Sequence, residues 1–366
     1  MRMSGNSSSE KLQIRNAIAM LLVFYIGNGG IFAATLGLGP DGWIAQLLGF
    51  AIAIPLFLIL GRLMRLMPGM DFFEMLNYTF GRALAVFVSI LYLGYFLMLS
   101  STVWVYAEFI RLVNLPNTPL LVILLVFFTV CVYLAESGVL TAGRWSVFLA
   151  AILIFVAVTL TLFAVSGMRM TNLLPVAADG GKAVVRGGLR FAISPFGEAV
   201  AVLAVIGIRL DKEASPYKLF FVGGMIALAF FVLNFLRDLA ILGAVGMDSM
   251  HFPSYKVAGV IQMGSIGARV EFLAVLPFLL AGLTKTAICL MAAAKVARRI
   301  VPRPPERCVM ISLAFVSLIL ASIWASNLGE RTGHFHVAPV FQFGIPAVMW
   351  IVAEVKGLRK PMGAVG

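Results

Sequence analysis

Long apolar runs alternate with short polar stretches along the chain, and each run is close to the length that crosses a lipid bilayer. A transmembrane helix needs about 20 mostly apolar residues. That rule predicts about ten spans: 14–37, 43–66, 83–112, 119–136, 145–166, 184–208, 217–246, 267–295, 307–328 and 337–355. The connections are short, with Gly39-Pro40-Asp41-Gly42 the tightest. Asp71 to Phe80 and Phe252 to Met263 are apolar enough to form short helices at the membrane surface, with an irregular loop as the alternative.

Two of the runs are interrupted. The first contains Ile26-Gly27-Asn28-Gly29-Gly30-Ile31-Phe32, and each glycine costs a helix about 1 kcal/mol relative to alanine. The sixth contains Ser194-Pro195-Phe196-Gly197-Glu198. In hydrocarbon, an unwound turn survives only where protein or a water-filled cavity satisfies its backbone groups. The helix ends it exposes suit a small zwitterion or a cation. Small residues also permit close helix packing, so glycine alone leaves both readings open, and the second interruption favours the first. Gly27, Asn28, Gly29 and Gly30 are therefore expected to be non-helical. They should face Ser194, Pro195, Phe196 and Gly197 and form a ligand site with them.

The interrupted spans open two groups of five and enter from opposite sides. That is the pattern of an inverted-topology repeat with discontinuous helices meeting at the midplane. The expected fold is all-α, an integral membrane protein with about ten transmembrane helices, an inverted five-plus-five repeat, and helices 1 and 6 broken. A single transmembrane domain would run over 13–355, between an N-terminal tail 1–12 and a C-terminal tail 356–366. Repeat one covers about 13–166 and repeat two about 184–355, with helices 9 and 10 peripheral or completing the second. The halves share no visible identity, so the repeat rests on spacing.

Composition agrees with a polytopic membrane protein: 61% hydrophobic, 12% charged, mean hydropathy +1.01. The net charge of +12 is explained by topology. With the N-terminus inside, Lys and Arg in the inner loops outnumber those in the outer loops by more than two to one. Both termini are then cytoplasmic, and no nucleic-acid partner is needed. The segment from Lys182 to Arg190 is an exception, basic on the outer side. Residues 1–10 are polar and Ser-rich, so the first run is expected to stay as a span and not to be cleaved as a signal peptide. Cys131, Cys289 and Cys308 lack paired spacing, which argues against a disulfide framework or thiolate metal site.

Glu198, Arg237, Asp238 and Lys285 are the ionisable residues deepest in the spans. Each costs roughly 2.5–3.5 kcal/mol there unless paired or hydrated, so they mark either a functional polar core or ion pairs that lock helices. Adjacent helical positions are about 100° apart; Arg237 and Asp238 therefore need not pair, and Arg237 is free to reach Glu198. Glu108 and Arg111, at i and i+3, suit a local pair. Tyr92, Tyr95, Trp104 and Tyr106 gather on the third span as packing aromatics, or as hydroxyls along a polar path. No metal set, Ser/His/Asp order or phosphate loop has supporting context, so neither an enzyme nor a cofactor is expected.

The first-span motif resembles the glycine motif of the amino acid–polyamine–organocation transporter superfamily, the LeuT-type fold. Four further features occur in order: Asn172-Leu173-Leu174-Pro175-Val176, Pro195-Phe196-Gly197-Glu198, Phe252-Pro253-Ser254-Tyr255, and Arg269-x-Glu271 followed by Lys285. Together they resemble the endospore germination permease family, the B subunits of nutrient germinant receptors, from about Gln13 to Val355. The resemblance implies a transporter-like core that senses a small germinant such as an amino acid. It also implies an A subunit and a lipoprotein C subunit as partners in the spore inner membrane. A proton- or sodium-coupled amino acid transporter is the alternative. Transporters of this type commonly hold sodium between helices 1 and 8. Here Thr284 and Thr286 flank Lys285, whose ammonium is expected in the ion's place, bonded to carbonyls of the first break, with snorkelling toward the inner face as the alternative.

Overall fold

The computed structural model describes residues 11–29, 38–176, 180–207, 210–211, 214–250, 252–260, 270–326 and 334–358. Apart from a parallel bridge between Leu12 and Leu210, the regular structure described is helical. The helices are α1 (Ile14–Gly29), α2 (Gly42–Leu66), α3 (Phe72–Phe80), α4 (Arg82–Ser101), α5 (Trp104–Val113), α6 (Leu120–Glu136), α7 (Gly138–Ala164) and α8 (Gly181–Ile193). They continue with α9 (Ala199–Ile206), α10 (Pro216–Ser249), α11 (Pro253–Val260), α12 (Val270–Ile300), α13 (Glu306–Ser326), α14 (His334–Pro339) and α15 (Ile345–Val355). Among the described residues, eight helices or joined helices are long and apolar enough to cross a membrane, and α1 and α6 are shorter apolar helices.

Local chemistry explains the irregular points. Ser100, Ser101 and Thr102 each turn the hydroxyl back onto the carbonyl three residues earlier. These bonds compete with the helix ladder where α4 passes into α5. The surface segment after α2 is helical: Asp71 accepts from the Phe73 and Glu74 amides, and the Glu74 carboxylate accepts from the Asp71 amide. That reciprocal cap starts α3, whose Phe72, Phe73, Met75 and Leu76 are buried. The segment at Phe252 is also helical, from Pro253 to Val260, and its continuation to Met263 lies outside the described residues.

The apolar windows of α12 and of the α8–α9 span are 83% and 78% buried, against 28% for α13 and α15. The most enclosed helices form the centre. α1 packs against α12, α10 and α7, while α2 packs against α8 and α10. On the outside, Phe87, Phe148, Phe155, Leu162, Phe315 and Ile351 are all exposed. So much exposed apolar surface is a liability in water and the expected lipid face in a bilayer.

Candidate functional site

The sixth span breaks where the sequence predicts. α8 ends at Ile193, a turn covers Ser194 and Pro195, a short 3-10 helix covers Phe196–Glu198, and α9 follows. The Ser194–Pro195 peptide is cis. Phe196 is fully buried and edge-on to Tyr25, Phe50, Phe57 and Phe191, with ring centroids 5.2–6.0 Å apart. These rings anchor the break against α1, α2 and α8. Gly197 is a close-approach position: a Cβ there would stand 2.2 Å from Gln342 Oε1. Gln342 belongs to a π-helical turn, Val340–Gly344, between α14 and α15. Such turns leave backbone groups offset, and the Tyr92 hydroxyl donates to the Phe341 carbonyl at 2.7 Å.

The first-span expectation is corrected. Gly27, Asn28 and Gly29 belong to α1 and are helical, while Gly30 lies outside the described residues. Packing accounts for Gly27. A Cβ on it would stand 2.5 Å from the Ala281 carbonyl oxygen and 3.1 Å from Lys285 Cβ, so glycine brings α1 directly onto α12. The Gly27 carbonyl accepts a hydrogen bond from the Tyr106 hydroxyl.

Lys285 has a charged partner that the sequence did not name. Its Nζ stands 2.8 Å from Glu198 Oε2, with the side chains 1% and 6% exposed. Ser194 Oγ donates to the other carboxylate oxygen at 3.0 Å. The ammonium also lies 5.6 Å from the Phe24 ring centre. A full countercharge outweighs neutral carbonyls as a partner for a buried ammonium. Thr284 and Thr286 donate to the carbonyls of Leu280 and Gly282, and Thr284 Oγ1 accepts from Trp145 Nε1 at 3.1 Å.

Arg237 does not reach Glu198. Its guanidinium folds onto Asp238 at 2.7 and 2.9 Å, both side chains being buried, and Ser254 donates to the other oxygen of Asp238. A long side chain bends across the 100° separation when water is excluded and a countercharge is adjacent. Glu108 and Arg111 do form their local pair, at 2.7 Å. Arg269 and the Glu271 side chain lie outside the described residues.

Two groups at this centre carried no clear sequence signal. The Tyr25 hydroxyl is buried and bonds to nothing among the described residues. Gln342 donates to the Tyr95 hydroxyl at 2.7 Å, while its buried Oε1 has no such partner.

A model of the spore germination permease family, described as spore germination protein, matches residues 11–327. The chain belongs to that family. Over 364 residues it is 25% identical to spore germination protein KB of Bacillus subtilis (strain 168), covering 96% of each chain. It is 24% identical to spore germination protein YndE of the same organism over 233 residues, 61% of this permease and 62% of that relative. Among solved structures it is similar to Mhp1, a nucleobase-cation-symport-1 family transporter in a closed conformation with bromovinylhydantoin bound. The TM-score is 0.69 at 16% identity, covering 94% of this chain and 80% of that one. It is also similar to MhsT in complex with L-phenylalanine, with TM-score 0.68 at 13% identity, covering 95% and 87%. These likenesses establish the fold, an all-α multi-span membrane protein of the LeuT type, and family membership supports a permease-like role over an enzymatic one.

Proposed function

We propose that this spore germination permease is the germinant-sensing membrane subunit of a nutrient receptor. Its ligand is a small polar nutrient, an amino acid above all, held between the first and sixth spans. The observation that carries the reading is the break from Ser194 to Glu198, which brings charge into the most enclosed part of the molecule. Intramembrane ionisable groups at a helix break mark ligand paths in this fold class. Its partners in the spore inner membrane are an A subunit and a lipoprotein C subunit, with both termini cytoplasmic.

The test uses the purified chain in nanodiscs with a panel of amino acids, sugars and nucleosides. A ligand that binds the folded state raises the unfolding temperature, and a panel without effect refutes the sensing role. Gly197→Trp, which fills the break, should abolish the shift and the germination response together. Solute flux in proteoliposomes reads out the alternative of a coupled amino acid transporter. Co-isolation of the A and C subunits from spore inner membranes tests the assembly.

A further inference from the structure

Four elements converge on the Glu198–Lys285 pair. α1 brings Phe24 and Tyr25, the sixth-span break brings Glu198, α12 brings Lys285, and the π-turn brings Gln342 against Gly197. Two kinds of observation are left over there. The pair is enclosed, its side chains 1% and 6% exposed. On the break that carries Glu198, Tyr25 packs its ring edge-on to Phe196 and Gln342 Oε1 lies beside Gly197, and the buried Tyr25 Oη and Gln342 Oε1 bond to nothing among the described residues. Buried polar groups without partners are rare in native proteins and mark strain, function or a bound group.

We infer that the Glu198–Lys285 ion pair is a plug that a zwitterionic ligand replaces charge for charge. The ligand's ammonium takes Glu198 and its carboxylate takes Lys285, and the Tyr25 hydroxyl and Gln342 oxygen become its donor and acceptor. The physical ground is compensation. Separating two buried charges leaves each uncompensated unless something supplies both opposites at once. An amine alone satisfies Glu198 and strands Lys285, and a carboxylic acid alone does the reverse. A zwitterion satisfies both, so the plug discriminates by charge pattern before any side-chain pocket is consulted. The inference rests on the ligand reading above, and it moves ligand recognition from the glycines of α1 to charged side chains of the sixth and eighth spans.

Thermal unfolding of the full chain in nanodiscs tests it, with the proteinogenic L-amino acids as probes. Each effective amino acid is paired with its methyl ester and its des-amino acid. The proteins are wild type, Glu198→Gln, Lys285→Met and the double variant Glu198→Gln/Lys285→Met. The double variant carries no stranded charge and keeps the fold testable if a single one does not. The expected result is a rise in unfolding temperature of wild type with the zwitterion alone, and binding at least about tenfold weaker in the double variant, as expected for the loss of two charge-assisted contacts. A folded double variant that binds the zwitterion as wild type does overturns the plug and leaves the ligand reading standing. Equal binding of the methyl ester or the des-amino acid does the same. A wild type stabilised by no amino acid overturns the plug, and one stabilised by nothing on the wider panel above overturns both.

Discussion

Gly27 shows how one missing side chain sets the distance between two helices. Its substitution by alanine places a methyl group 2.5 Å from the Ala281 carbonyl oxygen. Because that atom is backbone, α1 has to move. Overpacking of this kind costs about 1–3 kcal/mol; the expected outcome for Gly27→Ala is a lowered unfolding temperature in detergent, with the aggregated fraction rising on size exclusion. Lys285→Met acts through charge and not volume. It strands Glu198 in a buried position, and breaking a buried pair from one side costs about 3–5 kcal/mol. The additional change Glu198→Gln should recover most of that loss, and a double-mutant cycle on unfolding temperatures measures the coupling. At this scale the residue types were legible in the sequence, but not their partners. Hydropathy marked Glu198, Arg237, Asp238 and Lys285 as costly, yet which carboxylate meets which cation depends on helix rotation. Arg237 therefore met its neighbour Asp238, and Lys285 met Glu198 across 87 positions of chain.

Breaks and kinks can be traced to groups that satisfy the loosened backbone. α10 is kinked at Gly243, whose φ of 68° is left-handed and favours glycine. The Ala240 carbonyl near the kink accepts from the Arg169 amide at 2.9 Å and from Asn172 Nδ2 at 3.0 Å. The motif Asn172-Leu173-Leu174-Pro175 thereby serves α10, a role its spacing did not reveal. Asn172→Leu removes one of the two donors, with an expected loss of about 1 kcal/mol. Faster amide exchange near Gly243, with the rest of α10 unchanged, is the measurement that checks it. α9 is supported in a related way: Lys295 Nζ lies 2.6 Å from the Val205 carbonyl oxygen and 3.3 Å from that of Ala204, capping the negative end of a short helix. The proline of the sixth-span interruption was readable because few residues stop a helix so reliably. The glycines of α1 were not, since the same composition serves an unwound turn and a close contact, and only the neighbouring helix decides. On α8, Gly187 and Gly188 approach α2, leaving Lys182, Arg186 and Arg190 at four-residue intervals on exposed positions.

Across the whole molecule, the order of the spans follows from hydropathy because the bilayer fixes their length; among the described residues eight are long and apolar enough to cross, and α1 and α6 are shorter. Which spans are central does not follow from hydropathy, since the α12 span and the span that ends in α15 are of similar hydropathy but differ threefold in burial. Orientation rests on the distribution of Lys and Arg, and the chain carries its own reporter for it. Cys308 is exposed near the start of α13, just after the most basic loop, whereas Cys131 and Cys289 are buried. If that loop faces the cytoplasm, a membrane-impermeant maleimide should leave intact cells unlabelled and modify one cysteine per chain once the membrane is permeabilised. Denaturation should then expose the other two. Labelling of Cys308 in intact cells would reverse the orientation, and with it the side from which the Ser194–Glu198 break is approached. Cys308→Ser should abolish the native-state label and leave the denatured one at two, which ties the signal to that position.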